Sequence, residues 1–291
     1  MKLGLCAVEN RVVPVLDAGR ALIDLDRAFD GIPLSPIEIL LSEDWRQRVE
    51  ALGNEAGELP CVPRESVRWM SPVPEPQKII CVGLNYADHA KETGDETPKI
   101  PMIFNKFPTA LAAHEEEIEL PAAAAQVDYE AELVVVIGRG GREIKREDAM
   151  DAVLGYCCGN DVSARDWQFL PPAKQWLVGK TFDKFAPVGP LLVSRDEIPN
   201  LHDLRIAMRL NGETLQEAST RDLIFDIPFL IEWISRVCTL LPGDLIFTGT
   251  PPGVGMGRSP QIFLKDGDVC EVEIEGVGLL KNRFRRRFGE K

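Results

Sequence analysis

The segment VDYEAELVVVIGR, residues 127–139, places Glu130 and Glu132 two positions apart at the edge of an apolar, β-branched run. The run 133–137 is too short for a helix of ordinary length and reads as a buried strand. Residues i and i+2 of a strand share a face, so the two carboxylates leave side by side. Like charges so placed repel, and the repulsion grows where protein excludes water. One reading is the solvated face of an edge strand, which is how Glu271, Glu273 and Glu275 read in DVCEVEIEG. The other is a cation site. Downstream, GNDVSARDWQ carries Asp161 in a Gly/Asn/Ser context that reads as an exposed turn or cleft edge. Three carboxylates converging on one point would hold a hard divalent ion such as Mg²⁺, which takes oxygen ligands and keeps some of its water.

Positioning such groups needs a scaffold, and the chain spells out a mixed one. RVVPVLD reads as a strand, and SPIEILLSEDWRQRVEALG as one helix with Ser35 as N-cap and Pro36 in first position. SPVPEPQK (71–78) reads as a Pro-rich linker. It separates residues 1–70, a small N-terminal α/β accessory domain, from a catalytic domain over 71–291. KIICVGL reads as a buried strand, YADHAKETG as a short helix stopped by Gly94, and REDAMDAVLGYCCG as helical at first. LRIAMRLNGETLQEAS alternates and turns at Asn211-Gly212, a hairpin signal. DIPFLIEWISRVCTL reads as an amphipathic helix, and GDLIFTG and DVCEVEIEG as strands. Strands outnumber helices without a regular βαβ rhythm, so the expected class is α+β rather than a doubly wound parallel sheet.

At 291 residues, with 45% hydrophobic and 27% charged residues, the chain can bury a full core. A formal charge of −13 argues against a nucleic-acid surface. The basic run NRFRRRF near the C-terminus reads as a solvated tail. No apolar stretch is long enough to span a bilayer, and the N-terminus carries no signal-peptide block. The seven cysteines are scattered, mostly in apolar segments, and no CxxC occurs. That pattern suits reduced thiols, a cytoplasmic protein and no structural zinc.

The blocks CVGLNYADHAKETG, IFNKFPTAL, VDYEAELVVVIGR, GNDVSARDWQ, QWLVGKTFDKFAPVGP, LNGETLQEAS and LLPGDLIFTGTPPGVG occur in this order. Together they resemble the fumarylacetoacetate hydrolase family across nearly everything after the linker, and residues 1–70 resemble the N-terminal extension of many bacterial members. The resemblance implies a mixed β-roll in an α+β chain, assembled as a homodimer and using Mg²⁺ or Mn²⁺ on small oxo acids. It implies that Glu130, Glu132 and Asp161 are the metal ligands and that His89 and Glu92 form a dyad that activates water. Their i, i+3 spacing on a helix lets Glu92 reach the imidazole. It also implies Lys180 as an active-site lysine, Arg165 and Gln168 as residues that orient substrate, and Thr250 as a loop residue lining the site. Lys180 stands among Trp176, Leu177, Val178 and Phe182, so burial beside a counter-charge is expected.

The activity expected from this set is hydrolysis of a C–C bond in a 2,4-dioxo acid of the acylpyruvate type. Water activated by His89 and Glu92 would attack the distal carbonyl, and the metal and Lys180 would hold the departing enolate. An oxaloacetate-type decarboxylase or an isomerase of a 2-oxo acid on the same scaffold fits every motif as well. A catalytically silent metal-binding protein would lack the dyad or the lysine, and both are present. Two stretches depart from the family's pattern. TALAAHEEEIELP, with Ala113-His114 and three glutamates, occupies a loop expected near the substrate entrance. CVGLNYA supplies no fourth carboxylate, so three protein ligands plus water are expected.

Overall fold

The β-branched run after Glu132 becomes the strand Ala131–Ile137, buried along its whole length, in a computed structural model that describes residues 1–19, 21–52, 59–94, 96–172 and 175–286. Burial on both faces explains the continuous Val/Ile pattern, since neither face meets water. The strand lies inside a twelve-stranded mixed sheet. It pairs antiparallel with Val153–Asn160 on one side and with Leu245–Phe247 on the other. Leu245–Phe247 in turn runs parallel to Ile79–Gly83, whose free flank is covered by Met102–Lys106 at the sheet edge. A second, five-stranded sheet contains the hairpin Arg205–Leu210 and Glu213–Ser219, together with Val269–Ile274 and Gly278–Arg285. Asn211 and Gly212 at its turn both take positive φ, 51° and 86°, as a tight hairpin requires. The class is α+β, as expected, with an α/β region at the N-terminus.

That N-terminal region shares the large sheet. Lys2–Val8 pairs antiparallel with Ala186–Ser194, and Arg11–Asp17 and Leu22–Asp24 extend the sheet beyond it. The single helix expected over SPIEILLSEDWRQRVEALG is two helices, Pro36–Leu41 and Glu43–Leu52. Ser42 between them is extended; its N–H caps Glu38 O and its Oγ accepts from Trp45 N at 3.4 Å. A serine hydroxyl that satisfies the next helix's free N–H groups competes with continued helix, and here it wins. The expected cap at Ser35 makes no side-chain hydrogen bond.

Other elements follow the sequence closely. Ala87–Thr93 is helical and ends at Gly94 in the left-handed region. Ile227–Val237 starts on Asp226, whose carboxylate accepts from Phe229 N at 2.9 Å. REDAMDA forms a 3-10 helix, Arg146–Ala152, before the strand begins. The basic run near the C-terminus is only partly a solvated tail: Asn282 and Phe284 are buried within Gly278–Arg285, and the outward Arg285 meets Glu117. Its last residues, 287 and 288, lie outside the described residues. All seven cysteines are free thiols, five of them buried. Among the described residues no helix is long and apolar enough to cross a membrane.

Candidate metal centre and active site

Strand pairing brings the third carboxylate to the first two. In the ladder between the central strands, Ala131 faces Asn160 and Glu132 faces Gly159. One step further, Asp161 N donates to Glu130 O at 2.9 Å, and Glu130 N donates to Asn160 Oδ1 at 2.9 Å. Residues 30 apart in sequence thus become neighbours because an antiparallel pair of strands ends there. One ligand atom from each of Glu130, Glu132 and Asp161 lies within 4.8 Å of the others. Asp161 was expected at an exposed turn; it is fully buried, with Lys106 and Lys180 against its two carboxylate oxygens.

Each carboxylate has at least one oxygen against a buried cation or backbone N–H. Arg165 reaches Glu130 Oε1 at 2.7 Å, Gly249 N donates to Glu132 Oε2 at 2.7 Å, and Lys106 Nζ lies 2.6 Å from Asp161 Oδ1. Lys180 bridges the cluster, with Nζ 2.7 Å from Glu130 Oε2 and 2.9 Å from Asp161 Oδ2. Its burial beside counter-charges is as expected. Burial works against this ammonium, but Asp161 and Glu130 outweigh it and raise its pKa. Glu130 is held down to about 2: burial opposes this, and Lys180, Arg165 and His89 overcome it. Glu132 goes the other way. Burial, then Asp161 and Glu130, push its carboxyl well above the ordinary range, and among the described residues it has no ion-pair partner.

The donor set fits a divalent cation. Four buried carboxyl groups (with Asp128) face three buried cations, Lys106, Arg165 and Lys180, and a divalent ion would hold the fourth, Glu132, in its charged form. Oxygen donors without sulfur or imidazole suit Mg²⁺ or Mn²⁺ rather than zinc. Glu130 and Glu132 line a cavity of about 240 Å³, shared with His89, Arg165, Gln168, Lys180 and Thr250. Asp161 sits just behind that wall.

The helix Ala87–Thr93 carries both members of the expected dyad: His89 Nδ1 is 3.4 Å from Glu92 Oε2. Gly253 N donates to both Glu92 oxygens, at 3.0 and 2.9 Å. Burial alone would raise the Glu92 pKa, but contact with His89 and the Gly253 N–H lowers it on balance. Gly249 and Gly253 both take φ of 105°. Only glycine adopts that backbone readily, and it turns the two N–H groups toward Glu132 and Glu92. Space demands glycine as well, since a Cβ at Gly253 would stand 2.1 Å from Leu215 O.

Arg165 is spent on carboxylates. Nε and NH2 contact Asp128 Oδ2, each at 2.9 Å, and NH1 donates to Gln168 Oε1 at 2.9 Å. It orients Glu130 and Gln168 within this chain, while Gln168 keeps its amide N–H groups for the cavity. Thr250 Oγ1 donates to Ala131 O at 3.0 Å and accepts from Gln216 Nε2 at 2.8 Å, pinning the loop to the ligand strand. The loop with Ala113-His114 lines a different cavity, beside Trp69 and Ser71, instead of the carboxylate cavity. His114 Nδ1 accepts from Lys281 N at 3.0 Å, which ties that loop to the second sheet.

Sequence reasoning passed over Lys106, Asp128 and the amides of Gly249 and Gly253. Lys106 lay inside the block IFNKFPTAL, but nothing in its spacing points to Asp161, 55 residues on. Asp128 accepts from Gly255 N and Met256 N as well as from Arg165, joining the Gly/Pro loop to the site.

Comparison with known proteins bears on what this site does. A family model described as fumarylacetoacetate (FAA) hydrolase C-terminal matches residues 78–285. Oxaloacetate tautomerase FAHD2A, mitochondrial, from Bos taurus is 45% identical over 267 residues, 91% of this chain and 84% of that protein. Among solved structures, a fumarylacetoacetate hydrolase from Exiguobacterium antarcticum superposes with a TM-score of 0.84 at 34% identity, covering 99% of this chain and 100% of that one. Maleylpyruvate hydrolase from Sphingobium sp. SYK-6, in complex with manganese (II) ion and pyruvate, does so with a TM-score of 0.81 at 30% identity, covering 98% and 99%.

Two expectations are overturned by these findings. The expected C–C hydrolase gives way because the mammalian relatives, at higher identity than either hydrolase structure, are named tautomerases. The expected cytoplasmic location gives way because the same relatives are named mitochondrial. A model match over most of the chain and a relative 45% identical along nearly all of it place the protein in the fumarylacetoacetate hydrolase family.

Proposed function

We propose that the protein interconverts the enol and keto forms of a small 2-oxo dicarboxylic acid of the oxaloacetate type, with Mg²⁺ or Mn²⁺ held by Glu130, Glu132 and Asp161. The observation that carries this reading is one small cavity lined at once by metal-binding carboxylates, a buried ammonium and an imidazole. A bound divalent ion would supply Lewis acidity at the substrate's carboxylate and 2-oxygen, which lowers the barrier to enolisation. The chain's own residues do the rest. Lys180 presents positive charge to oxygen as the enolate develops. His89 moves the proton at C3. Contact between Nδ1 and Glu92 fixes the tautomer, so that Nε2 is the nitrogen that exchanges the proton. Phe104, Phe169 and Trp176 wall the cavity and exclude water, so a carbanion-like centre meets the imidazole first. Proton transfer alone completes this reaction. No water has to be activated, which removes the need that hydrolysis placed on the dyad.

The test is direct. Enol-oxaloacetate added to enzyme with Mg²⁺ or Mn²⁺ should lose its enol absorbance faster than the uncatalysed and metal-only controls, with total oxaloacetate conserved. Accumulation of pyruvate and CO₂ at the same rate would make the enzyme a decarboxylase, and cleavage of acylpyruvates without enol turnover would refute the reading. His89→Gln is expected to slow ketonisation about 10²- to 10⁴-fold, the scale of a positioned base, with Mn²⁺ affinity unchanged. An unchanged rate in that variant removes His89 from the mechanism.

A homodimer is part of this reading. Its support is the sheet-edge strand Met102–Lys106, on and beside which Ile100, Met102, Ile103 and Phe107 are exposed. Light scattering on the intact chain should give twice the 32.3 kDa chain mass.

A further inference from the structure

We propose that Lys106 restricts Asp161 to a single ligand oxygen, and that this selects Mg²⁺ or Mn²⁺ over the larger Ca²⁺. The inference rests on reading the carboxylate cluster as a metal centre and goes beyond it to name what sets the choice of ion. Lys106 is 1% exposed, at the end of the edge strand Met102–Lys106. Its Nζ donates to Val162 O at 2.9 Å and Phe185 O at 2.6 Å, and stands 2.6 Å from Asp161 Oδ1. An ammonium has three N–H donors. Two are spent on carbonyls of rigid backbone, so Nζ cannot follow a carboxylate that swings. Asp161 Oδ1 makes an ion pair there but has no donor in line. Oδ2 shares Lys180 with Glu130 Oε2 and therefore faces the cluster.

The same arrangement holds across the site. Arg165 holds Glu130 Oε1 and Gly249 N holds Glu132 Oε2 from outside the cluster, while the inward oxygens of Glu130 and Asp161 share only Lys180 among the described residues. Three carboxylates giving one oxygen each would supply three of the six oxygens Mg²⁺ takes and would leave the rest to water and substrate. Mg²⁺ accepts this shell, whereas Ca²⁺ takes six to eight oxygens and commonly uses both oxygens of a carboxylate. For Asp161 to turn both oxygens to an ion, Lys106 would have to lose the one carboxylate partner it has among the described residues while remaining buried. That penalty falls on Ca²⁺ and spares Mg²⁺.

The experiment is calorimetric titration of the full chain, wild type and Lys106→Met, with Mg²⁺, Mn²⁺ and Ca²⁺ separately. Wild type should bind Mn²⁺ and Mg²⁺ at least about tenfold tighter than Ca²⁺, and the variant should lose that preference. A residue that orients a ligand typically changes affinity by about 10- to 100-fold, and here its removal should show as a gain for Ca²⁺ with Mg²⁺ and Mn²⁺ little changed. A purely structural role would weaken all three ions alike and leave the ratio intact, which overturns the proposal. If Lys106→Met does not fold, a crystal structure of the wild type loaded with Mn²⁺ decides. One-oxygen Asp161 with Lys106 on the other oxygen supports the proposal, and a two-oxygen Asp161 overturns it. Absence of binding by any of the ions overturns the metal reading itself, a result distinct from binding without discrimination.

Discussion

Glu132→Gln is expected to remove metal-dependent turnover by about 10²-fold or more and, in the metal-free protein, to raise the melting temperature. Burial, then Asp161 and Glu130, raise the folded-state pKa of Glu132 well above 4.5, and Lys180 and the Gly249 N–H offset this only in part. A raised folded pKa means that the stability linked to this group is fully present below the unfolded value. It is lost as pH rises from about 4.5 through the folded value. At neutral pH the metal-free chain therefore carries a destabilising carboxyl, and glutamine removes it. Glu130→Gln should do the opposite. Its folded pKa is held down to about 2, so it stabilises above 4.5 and loses that contribution as pH falls toward about 2. Its loss leaves Lys180 and Arg165 short of a buried partner, a change that typically costs about 3–5 kcal/mol. Thermal unfolding after chelation, at pH 5 and pH 7, separates the two variants. The same scans with Mg²⁺ added should show the wild type gaining more at pH 7 than at pH 5. Equal destabilisation by both substitutions would contradict the charge assignment.

The second large effect is expected at Lys180. Lys180→Met keeps the apolar stem beside Phe104, whose ring centroid lies 5.1 Å from Nζ, and removes only the charge. Turnover should fall by at least about 10²-fold, on the scale of losing one preorganised donor to a developing enolate. Because that interaction strengthens in the transition state, kcat should fall more than KM rises. The metal-free variant should also melt at lower temperature, since Glu130 Oε2 and Asp161 Oδ2 lose the ammonium between them. Mg²⁺ should restore most of that loss, because the ion neutralises the same oxygens. Steady-state kinetics with parallel melting curves test both halves. A variant whose KM alone changes would make Lys180 a grip on the substrate's carboxylate and leave enolate stabilisation to the metal.

Much of the fold was legible along the chain because its signals are local. The Val/Ile run 133–137, the Asn211-Gly212 turn, the Gly94 stop and the Asp226 cap each depend on residues within a few positions. The break at Ser42 was missed because a hydroxyl's preference for capping competes with helix continuation by a margin too small to read from periodicity. Glu130 and Glu132 also announced themselves locally, through i, i+2 spacing beside a buried strand, whereas His89 and Glu92 stood out only through the family resemblance, their i, i+3 spacing merely allowing the contact. What only the tertiary structure decided are contacts made by strand register and by loop return. Asp161 joins the glutamates because one antiparallel ladder ends there. Lys106 reaches Asp161 across 55 residues because the edge strand places it under Val162 and Phe185. Gly249 and Gly253 aim their amides at Glu132 and Glu92 because a parallel strand delivers that loop to the site. The sequence by itself named the three carboxylates of the cluster, but neither Lys106 nor Asp128. Which oxygens converge on one point, and which carboxyl is pushed above the ordinary range, follow from distances and burial that no spacing in the chain encodes.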